Sequence, residues 1–118
     1  MPDQEAIATA LAYQNGIAVV KVGGDIDLAT VPVLEAAIDE ALVRKPMGLV
    51  IDLSEVGFLA SAGLQALVAT HNNVSQSAQF AVVANSAATS RPIQLTGLDK
   101  IFELYPTLDE ALTAVQPT

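Results

Sequence analysis

The sequence lacks cysteine and tryptophan and contains a single histidine among its 118 residues. Without cysteine the chain cannot form a disulfide, present a thiol nucleophile or bind a metal through thiolates. One histidine is too few for a histidine-rich metal cluster. We therefore expect the protein to use neither a metal nor another cofactor.

Charged side chains are scarce as well, at 15% of the chain against about 25% in an average protein. Hydrophobic residues reach 52%, which excludes intrinsic disorder because disordered chains have the opposite balance. Thirteen acidic and five basic residues give a net charge of −8. A chain of this charge repels a phosphate backbone, so we expect no nucleic-acid partner. No Asp, Glu, Lys or Arg lies between Glu55 and Arg91.

Long apolar runs are also missing. The neutral middle of the chain is interrupted by Asn72, Asn73 and Gln76, so no segment of about 18 residues is apolar enough to span a membrane. No basic residue precedes Lys21 and no long apolar stretch follows the start, which predicts that there is no secretory signal. We expect a soluble cytoplasmic protein, folded as one domain over residues 1–118 because this length leaves no room for a second core.

The first third of the chain predicts a β-hairpin followed by a helix. Larger residues alternate with alanine over residues 7–13, which is the two-residue period of a strand. Asn15 and Gly16 suit the positive φ angles of a tight turn, and residues 17–22 are predicted as the returning strand. Residues 23–25 (Gly-Gly-Asp) then break the pattern before a helix. The apolar stripe of this helix is formed by Val31, Leu34, Ile38 and Leu42.

Strands and helices alternate in the rest of the chain. In order, the sequence predicts a buried strand at 47–53, a loop at 54–59, a helix at 61–73, a buried strand at 80–84, a short helix at 90–95 with Pro92 in its first turn, and an edge strand at 101–104. A last helix begins at the capping box of Thr107 and Glu110 and ends at Pro117. The order ββαβαβαβα predicts an α/β fold with a mixed, largely parallel sheet packed with about four helices. The loops at 23–30 and 54–63 follow parallel strands, where such folds place their functional sites.

Four short motifs occur in order along the chain. Residues 24–27 are Gly-Asp-Ile-Asp, and residues 51–58 form a hydrophobic strand and its following segment. Residues 59–64 are Leu-Ala-Ser-Ala-Gly-Leu, and residues 96–102 begin with Thr-Gly-Leu. Taken together, these motifs resemble the Gly-Glu-Leu-Asp, strand, Asp-Ser-Ser-Gly-Leu and Ser-Gly-Leu motifs of the STAS domain family, in its stand-alone form as an anti-sigma factor antagonist. The resemblance covers nearly the whole chain.

The resemblance implies the STAS fold and a regulator without enzymatic activity. Such proteins bind an anti-sigma factor, often a serine kinase, and thereby release a sigma factor for transcription. The kinase phosphorylates a Ser or Thr at the start of the second helix, and this phosphorylation breaks the complex. The resemblance also implies that the protein is a monomer.

The chain departs from the family signature at two positions. Ala60 replaces the aspartate, and Ala62 stands at the usual phosphoacceptor, whereas Ser61 matches the first hydroxyl position. Ser61 is therefore the candidate phosphoacceptor. The alternative is a phosphorylation-independent STAS module that senses a ligand or serves as a scaffold in a signalling complex. The candidate partner-binding residues are Asp25, Asp27, Leu59, Ala60, Ala62, Gly63 and Leu64.

Simpler structural roles compete with these assignments. Ser61 is a good helix N-cap, and Asp25 and Asp27 are suited to capping the first helix or closing a turn. Asp52 is expected to brace the segment that follows it through main-chain hydrogen bonds rather than to catalyse. Gly63 permits either close packing or the close approach of a partner.

Two enzymatic interpretations fit the spacing poorly. Ser61, His71 and Asp52 supply the residue types of a hydrolase triad. However, ten residues of helix separate Ser61 from His71 by about 15 Å and place them on different faces, so His71 is expected to face solvent. Gly23 and Gly24 follow a strand but lack the spacing and the lysine of a phosphate-binding loop. We therefore expect no catalytic residues.

Overall fold

The computed structural model describes residues 7–74 and 76–116, which form a five-stranded sheet with four α-helices. The strands are β1 (Ala8–Gln14), β2 (Ile17–Ile26), β3 (Gly48–Leu59), β4 (Gln79–Val83) and β5 (Glu103–Tyr105). The helices are α1 (Val31–Leu42), α2 (Ser61–Val74), α3 (Ala87–Leu95) and α4 (Leu108–Val115), and a 3-10 helix (Leu98–Lys100) precedes β5. The sheet order is β1-β2-β3-β4-β5, with β1 antiparallel to β2 and the other neighbours parallel. The predicted element order and mixed α/β fold are confirmed.

The N-terminal hairpin turns at Asn15 and Gly16, whose φ angles are 55° and 83°. Two positive φ angles are what a two-residue type I′ turn requires, and the twist of this turn matches that of the strands. Gln14 and Ile17 flank the turn, and the register of β1 with β2 continues without interruption to the start of β1. The predicted hairpin is confirmed.

Helices cover both faces of the sheet, because successive strand side chains point to opposite sides. On one face, Val20 and Val22 of β2 lie in a large core shared with α1, α2 and α3. On the other face, Ile17 and Val19 lie in a smaller core that includes Val115 of α4. In the part of the chain that the structure describes, no helix is long and apolar enough to cross a membrane.

β2 and β3 are longer than the sequence predicts. The Gly-Gly-Asp segment, expected to break the strand, lies inside β2, which continues to Ile26. The loop expected at 54–59 is the second half of β3. The two extensions are stabilised by pairing with each other, because Asp25 lies opposite Phe58 and Ile26 opposite Leu59.

Smaller differences concern the later elements. α3 begins at Ala87, so Pro92 lies inside the helix instead of in its first turn. The last strand is shorter and begins later than predicted. The N-terminal cap of α4 is confirmed, since Thr107 Oγ1 accepts a hydrogen bond from Glu110 N at 3.2 Å. Pro117, predicted to end this helix, lies outside the described residues.

Candidate functional site

The carboxyl ends of β2 and β3 lie side by side at one end of the sheet. The pairing of β1 with β2 and of β4 with β3 stops short of these ends. The two strand ends are tied to α2, because Ala60 N donates a hydrogen bond to Ile26 O at 2.9 Å. The two segments predicted as functional loops therefore meet at one place. We call residues 24–30 and 57–62 the strand-end surface.

Ser61 is exposed as the first residue of α2. The N-cap role considered for it is not observed, since Ala60 is the residue before the helix and its carbonyl accepts from Gly63 N (2.9 Å) and Leu64 N (3.1 Å). Among the residues that the structure describes, none forms a hydrogen bond with the Ser61 hydroxyl. The hydroxyl thus has no structural role within the described chain.

The residues around Ser61 divide into half-buried and buried side chains. Ala60 and Ala62 are half-buried and flank Ser61, whereas Leu59, Gly63 and Leu64 are buried. The sequence places all five at the partner surface. Ala60 and Ala62 are therefore accessible at the surface, whereas Leu59, Gly63 and Leu64 lie below it.

Gly63 lies where the start of α2 presses against the end of β2. A Cβ atom on Gly63 would lie 2.6 Å from both Ile26 Cγ2 and Leu59 Cδ1, too close for either contact to persist. Of the two roles predicted for this glycine, close packing within the chain is the one observed. Gly63 therefore holds the beginning of α2, and with it Ser61, against the sheet.

Asp27 closes the turn between β2 and α1. Its Oδ1 atom accepts hydrogen bonds from Ala29 N and Thr30 N, both at 3.0 Å. Thr30 Oγ1 accepts from Asp27 N and donates to Asp25 O, both at 2.9 Å. The turn-closing role is confirmed for Asp27, whereas Asp25 is exposed at the strand-end surface.

We expect Asp27→Ala to lower the free energy of unfolding by about 1–2 kcal/mol, because two main-chain N–H groups lose their acceptor. Asp27→Asn keeps an oxygen at the same position, so we expect a smaller loss. Thermal and urea unfolding followed by circular dichroism would measure both variants. An equal loss in the two variants would contradict the turn-closing role, since it would show that the charge matters and the acceptor does not.

Two exposed hydrophobic side chains at this surface were not among the sequence candidates. Leu28, in the turn after β2, is 79% exposed, and Phe58, near the end of β3, is 52% exposed. Leu28 follows Ile26 by two residues, and Phe58 directly precedes Leu59, the residue paired with Ile26. Exposed apolar side chains that form a patch are typical of protein–protein contact sites. The signal that could have identified them is their position, since Leu28 directly follows the motif at 24–27 and Phe58 directly precedes the motif at 59–64.

Asp52 has the bracing role that the sequence predicts. Its side chain is only 3% exposed, and Oδ1 accepts a hydrogen bond from Ser54 N at 3.0 Å. The braced segment is a strand rather than a loop. This carboxylate therefore stabilises the second half of β3, which ends at the strand-end surface.

The expected exposure of His71 is wrong. Its ring packs near Phe80 and Phe102, with centroid separations of 6.1 and 6.4 Å, and its Nδ1 atom is buried without a partner among the described residues. The aromatic contacts bury this side of the ring because α2 lies over β4 and the segment before β5. Since His71 Nδ1 has no hydrogen-bond partner among the described residues, Asp52 does not orient this ring in the way that a hydrolase triad requires.

Two further kinds of site, a metal site and a phosphate-binding loop, are not found among the described residues. Within residues 7–74 and 76–116, no group of three or more His, Asp or Glu side chains is placed to hold a metal ion. Gly23 and Gly24 lie inside β2 and not in a loop before a helix, so they do not form a phosphate cradle.

An open groove of about 460 Å³ runs from Ser61 along α2 to Thr96 and Leu98, and its lining carries no charged side chain.

Comparison with known proteins identifies relatives of this chain. The family model described as "STAS domain" matches residues 9–111. Over 116 residues the chain is 49% identical to anti-sigma-F factor antagonist RsfB of Mycobacterium tuberculosis, covering 98% of this chain and 95% of that one. It is 31% identical over 84 residues to the anti-sigma-B factor antagonist of Listeria monocytogenes, covering 70% of this chain and 74% of the relative.

Solved structures show the same fold. The crystal structure of an anti-sigma factor antagonist from Mycobacterium paratuberculosis has a TM-score of 0.91 and 52% identity, covering 95% of this chain and 96% of that chain. Unphosphorylated SpoIIAA, at 15% identity, has a TM-score of 0.67 over 91% of this chain and 96% of its own, which shows a shared fold. The STAS fold expected from the sequence motifs is confirmed.

Proposed function

The chain belongs to the STAS domain family, and we propose that it is an anti-sigma factor antagonist, which binds an anti-sigma factor and thereby releases a sigma factor for transcription. The support is that relatives named as such antagonists match it over most of their length, at 49% and 31% identity. On this proposal the protein acts by binding and carries out no reaction itself.

The proposed partner surface is the strand-end surface. The observation that carries it is the exposure of Leu28, Phe58 and Ser61 in the two segments that meet where Ile26 pairs with Leu59. Among the described residues, none forms a hydrogen bond with the Ser61 hydroxyl. Asp25 adds an exposed carboxylate on the β2 side, whereas α2 carries no Asp, Glu, Lys or Arg. Buried Gly63, together with Leu59 and Leu64, supports this surface from beneath.

The proposed switch is phosphorylation of Ser61 by the bound anti-sigma factor, which on this proposal is a serine kinase. The γ-phosphoryl group of ATP is transferred to Ser61 Oγ, ADP leaves and the hydroxyl proton is released. The phosphate adds a charge of about −1.5 to −2 at neutral pH. The first N–H groups of α2 favour an anion at this position. The modification therefore changes the contact surface without refolding the chain, and the partner is repelled.

A second candidate is a STAS module that is not controlled by phosphorylation. Two observations favour it: Ala62 occupies the usual acceptor position of the family signature, and the groove that starts at Ser61 is open enough to hold a small apolar ligand. Such a module would sense the ligand, or act as a scaffold, while retaining the same fold. Phosphate mapping on Ser61 separates the two candidates.

Calorimetric titration against anti-sigma factors of the same organism tests the proposed surface. We expect Leu28→Ala to raise the dissociation constant by about tenfold or more, since each methylene-sized group that the partner buries contributes about 0.8 kcal/mol and the substitution removes three such carbons. Val43→Ala is the matched control, because Val43 is 77% exposed and lies beyond the opposite end of α1. We expect this control to change the constant by less than about twofold. Absence of binding by the native chain would refute the function, and equal effects of the two variants would refute the surface.

A further inference from the structure

The two edges of the sheet differ in how they are protected. β5 has only three residues, includes Glu103 and is followed by Pro106. β1 has seven residues, contains no charged residue and no proline, and pairs with β2 without a bulge. Short length, charge, proline and bulges are the features that keep edge strands from pairing with other chains. β1 has none of them, and within the described residues no strand pairs with its outer edge.

The hairpin turn determines which main-chain groups of β1 are free. Gln14 and Ile17 flank a two-residue turn and therefore form a hydrogen-bonded pair. Hydrogen-bonded and non-hydrogen-bonded pairs alternate along an antiparallel ladder. It follows that Thr9, Leu11 and Tyr13 direct their N–H and C=O groups away from β2, towards the outer edge.

We infer that a second copy of this chain pairs with the outer edge of β1, antiparallel and across a two-fold axis, with Leu11 opposite Leu11 of the second copy. Thr9 then lies opposite Tyr13 of the second copy, and the reverse pair forms on the other side of the axis. Each of these pairs exchanges two N–H···O bonds. The two sheets become one continuous sheet, and the contact is closed because each copy uses the same edge.

The side chains of β1 suit this occupant better than a charged peptide. Ala8, Ala10 and Ala12 are exposed on one face, and their short uncharged side chains do not repel their counterparts on the paired strand. On the other face, Tyr13 donates a hydrogen bond from its hydroxyl to Ala41 O at 3.3 Å, which holds the ring against α1. Although each copy carries a net charge of −8, none of that charge stands on β1 itself.

The family resemblance predicts a monomer, and the inferred dimer is an alternative to that prediction which does not depend on the proposed function. The edge of β1 is distinct from the strand-end surface, so either proposal can fail while the other stands. Net charge of one sign opposes association at low ionic strength, and salt screens that repulsion. We therefore expect dimerisation to strengthen between about 0.05 M and about 0.5 M sodium chloride.

Sedimentation equilibrium over a range of protein concentrations tests the inference. We expect the native chain to show a reversible monomer–dimer equilibrium. Thr9→Pro removes an outward N–H group, and proline is tolerated on an edge strand at such a position. We expect this variant to raise the dissociation constant by about tenfold or more, whereas Thr9→Val, which keeps the N–H group, changes it by less than about threefold.

A second pair of variants tests the register and does not depend on proline being tolerated. In the inferred dimer, residue 10 of one copy lies opposite residue 12 of the other, with Cβ atoms about 5 Å apart. Ala10→Glu/Ala12→Glu places like charges opposite each other and is expected to weaken the dimer about tenfold or more, whereas Ala10→Glu/Ala12→Lys places opposite charges there and retains it. A native chain that stays monomeric at all concentrations would overturn the inference. A dimer that none of these substitutions changes would also overturn it.

Discussion

Gly63→Ala is expected to lower both the stability of the protein and its affinity for the anti-sigma factor. The added Cβ would lie 2.6 Å from Ile26 Cγ2 and from Leu59 Cδ1. Leu59 Cδ1 is the end of a flexible side chain, but Ile26 is fully buried and branched at Cβ, so it has little room to move. Overpacking of this kind costs about 1–3 kcal/mol. The better helix propensity of alanine returns up to about 1 kcal/mol, so steric strain dominates.

The expected net loss of about 1–2 kcal/mol corresponds to a fall in the unfolding temperature of roughly 4–12 °C for a chain of this size. Binding weakens as well, because the strain is relieved by moving the start of α2, which carries Ser61, away from β2. Ile26→Leu is the matched second change, since leucine has no Cγ2 branch and a similar volume. In the Gly63→Ala background, Ile26→Leu should recover part of the lost stability, and an additive loss in the double variant would contradict the proposed contact.

The parts of the fold that the sequence predicts well are those with local signals. Asn15 and Gly16 determine the first hairpin by their positive φ angles, and Thr107 begins the last helix with its own side chain. The extension of β2 is not predictable in this way. Gly23 and Gly24 are a turn signal in the sequence, but in the structure Gly24 adopts a φ of 102° beside a shift in register, and β2 then resumes its pairing with β3. That pairing joins segments that are far apart in the sequence. Neither segment therefore shows a residue periodicity that predicts it.

The sequence predicts which segments form the candidate site, but it does not predict which of their side chains are exposed. The family motifs identify the two segments that meet at the strand ends, and Asp27 and Ser61 both lie in those segments. What the sequence cannot show is which side of each segment is pressed against the sheet. Gly63 is predicted at the surface and is buried beneath it, whereas Leu28 and Phe58 are strongly hydrophobic and are nevertheless exposed. Burial at this site depends on the packing of α2 against β2, which the order of residues along one element does not determine.

Ser61→Asp is expected to weaken binding to the anti-sigma factor by at least about tenfold, equivalent to about 1.4 kcal/mol. The reason is that a carboxylate at this position would be buried against the partner without a counter-ion, which is costly. α2 offers no basic side chain to neutralise it. Ser61→Ala removes the hydroxyl without adding charge, and since that hydroxyl contacts no other described residue, affinity and stability should stay close to those of the native chain.

Asn73→Asp is the matched control for charge, because Asn73 is exposed on the same helix about 18 Å from Ser61. It adds the same charge to the same neutral segment, so it should leave affinity unchanged if the effect is local. Incubation of the native chain with the kinase and ATP should add one phosphate, and mass mapping should place it on the peptide that contains Ser61 and find none in Ser61→Ala. A phosphate on another residue would refute Ser61 as the acceptor. Equal affinities of the native chain, Ser61→Asp and Ser61→Ala would refute the phosphorylation switch but not the binding function, because the fold and the strand-end surface would be intact in all three.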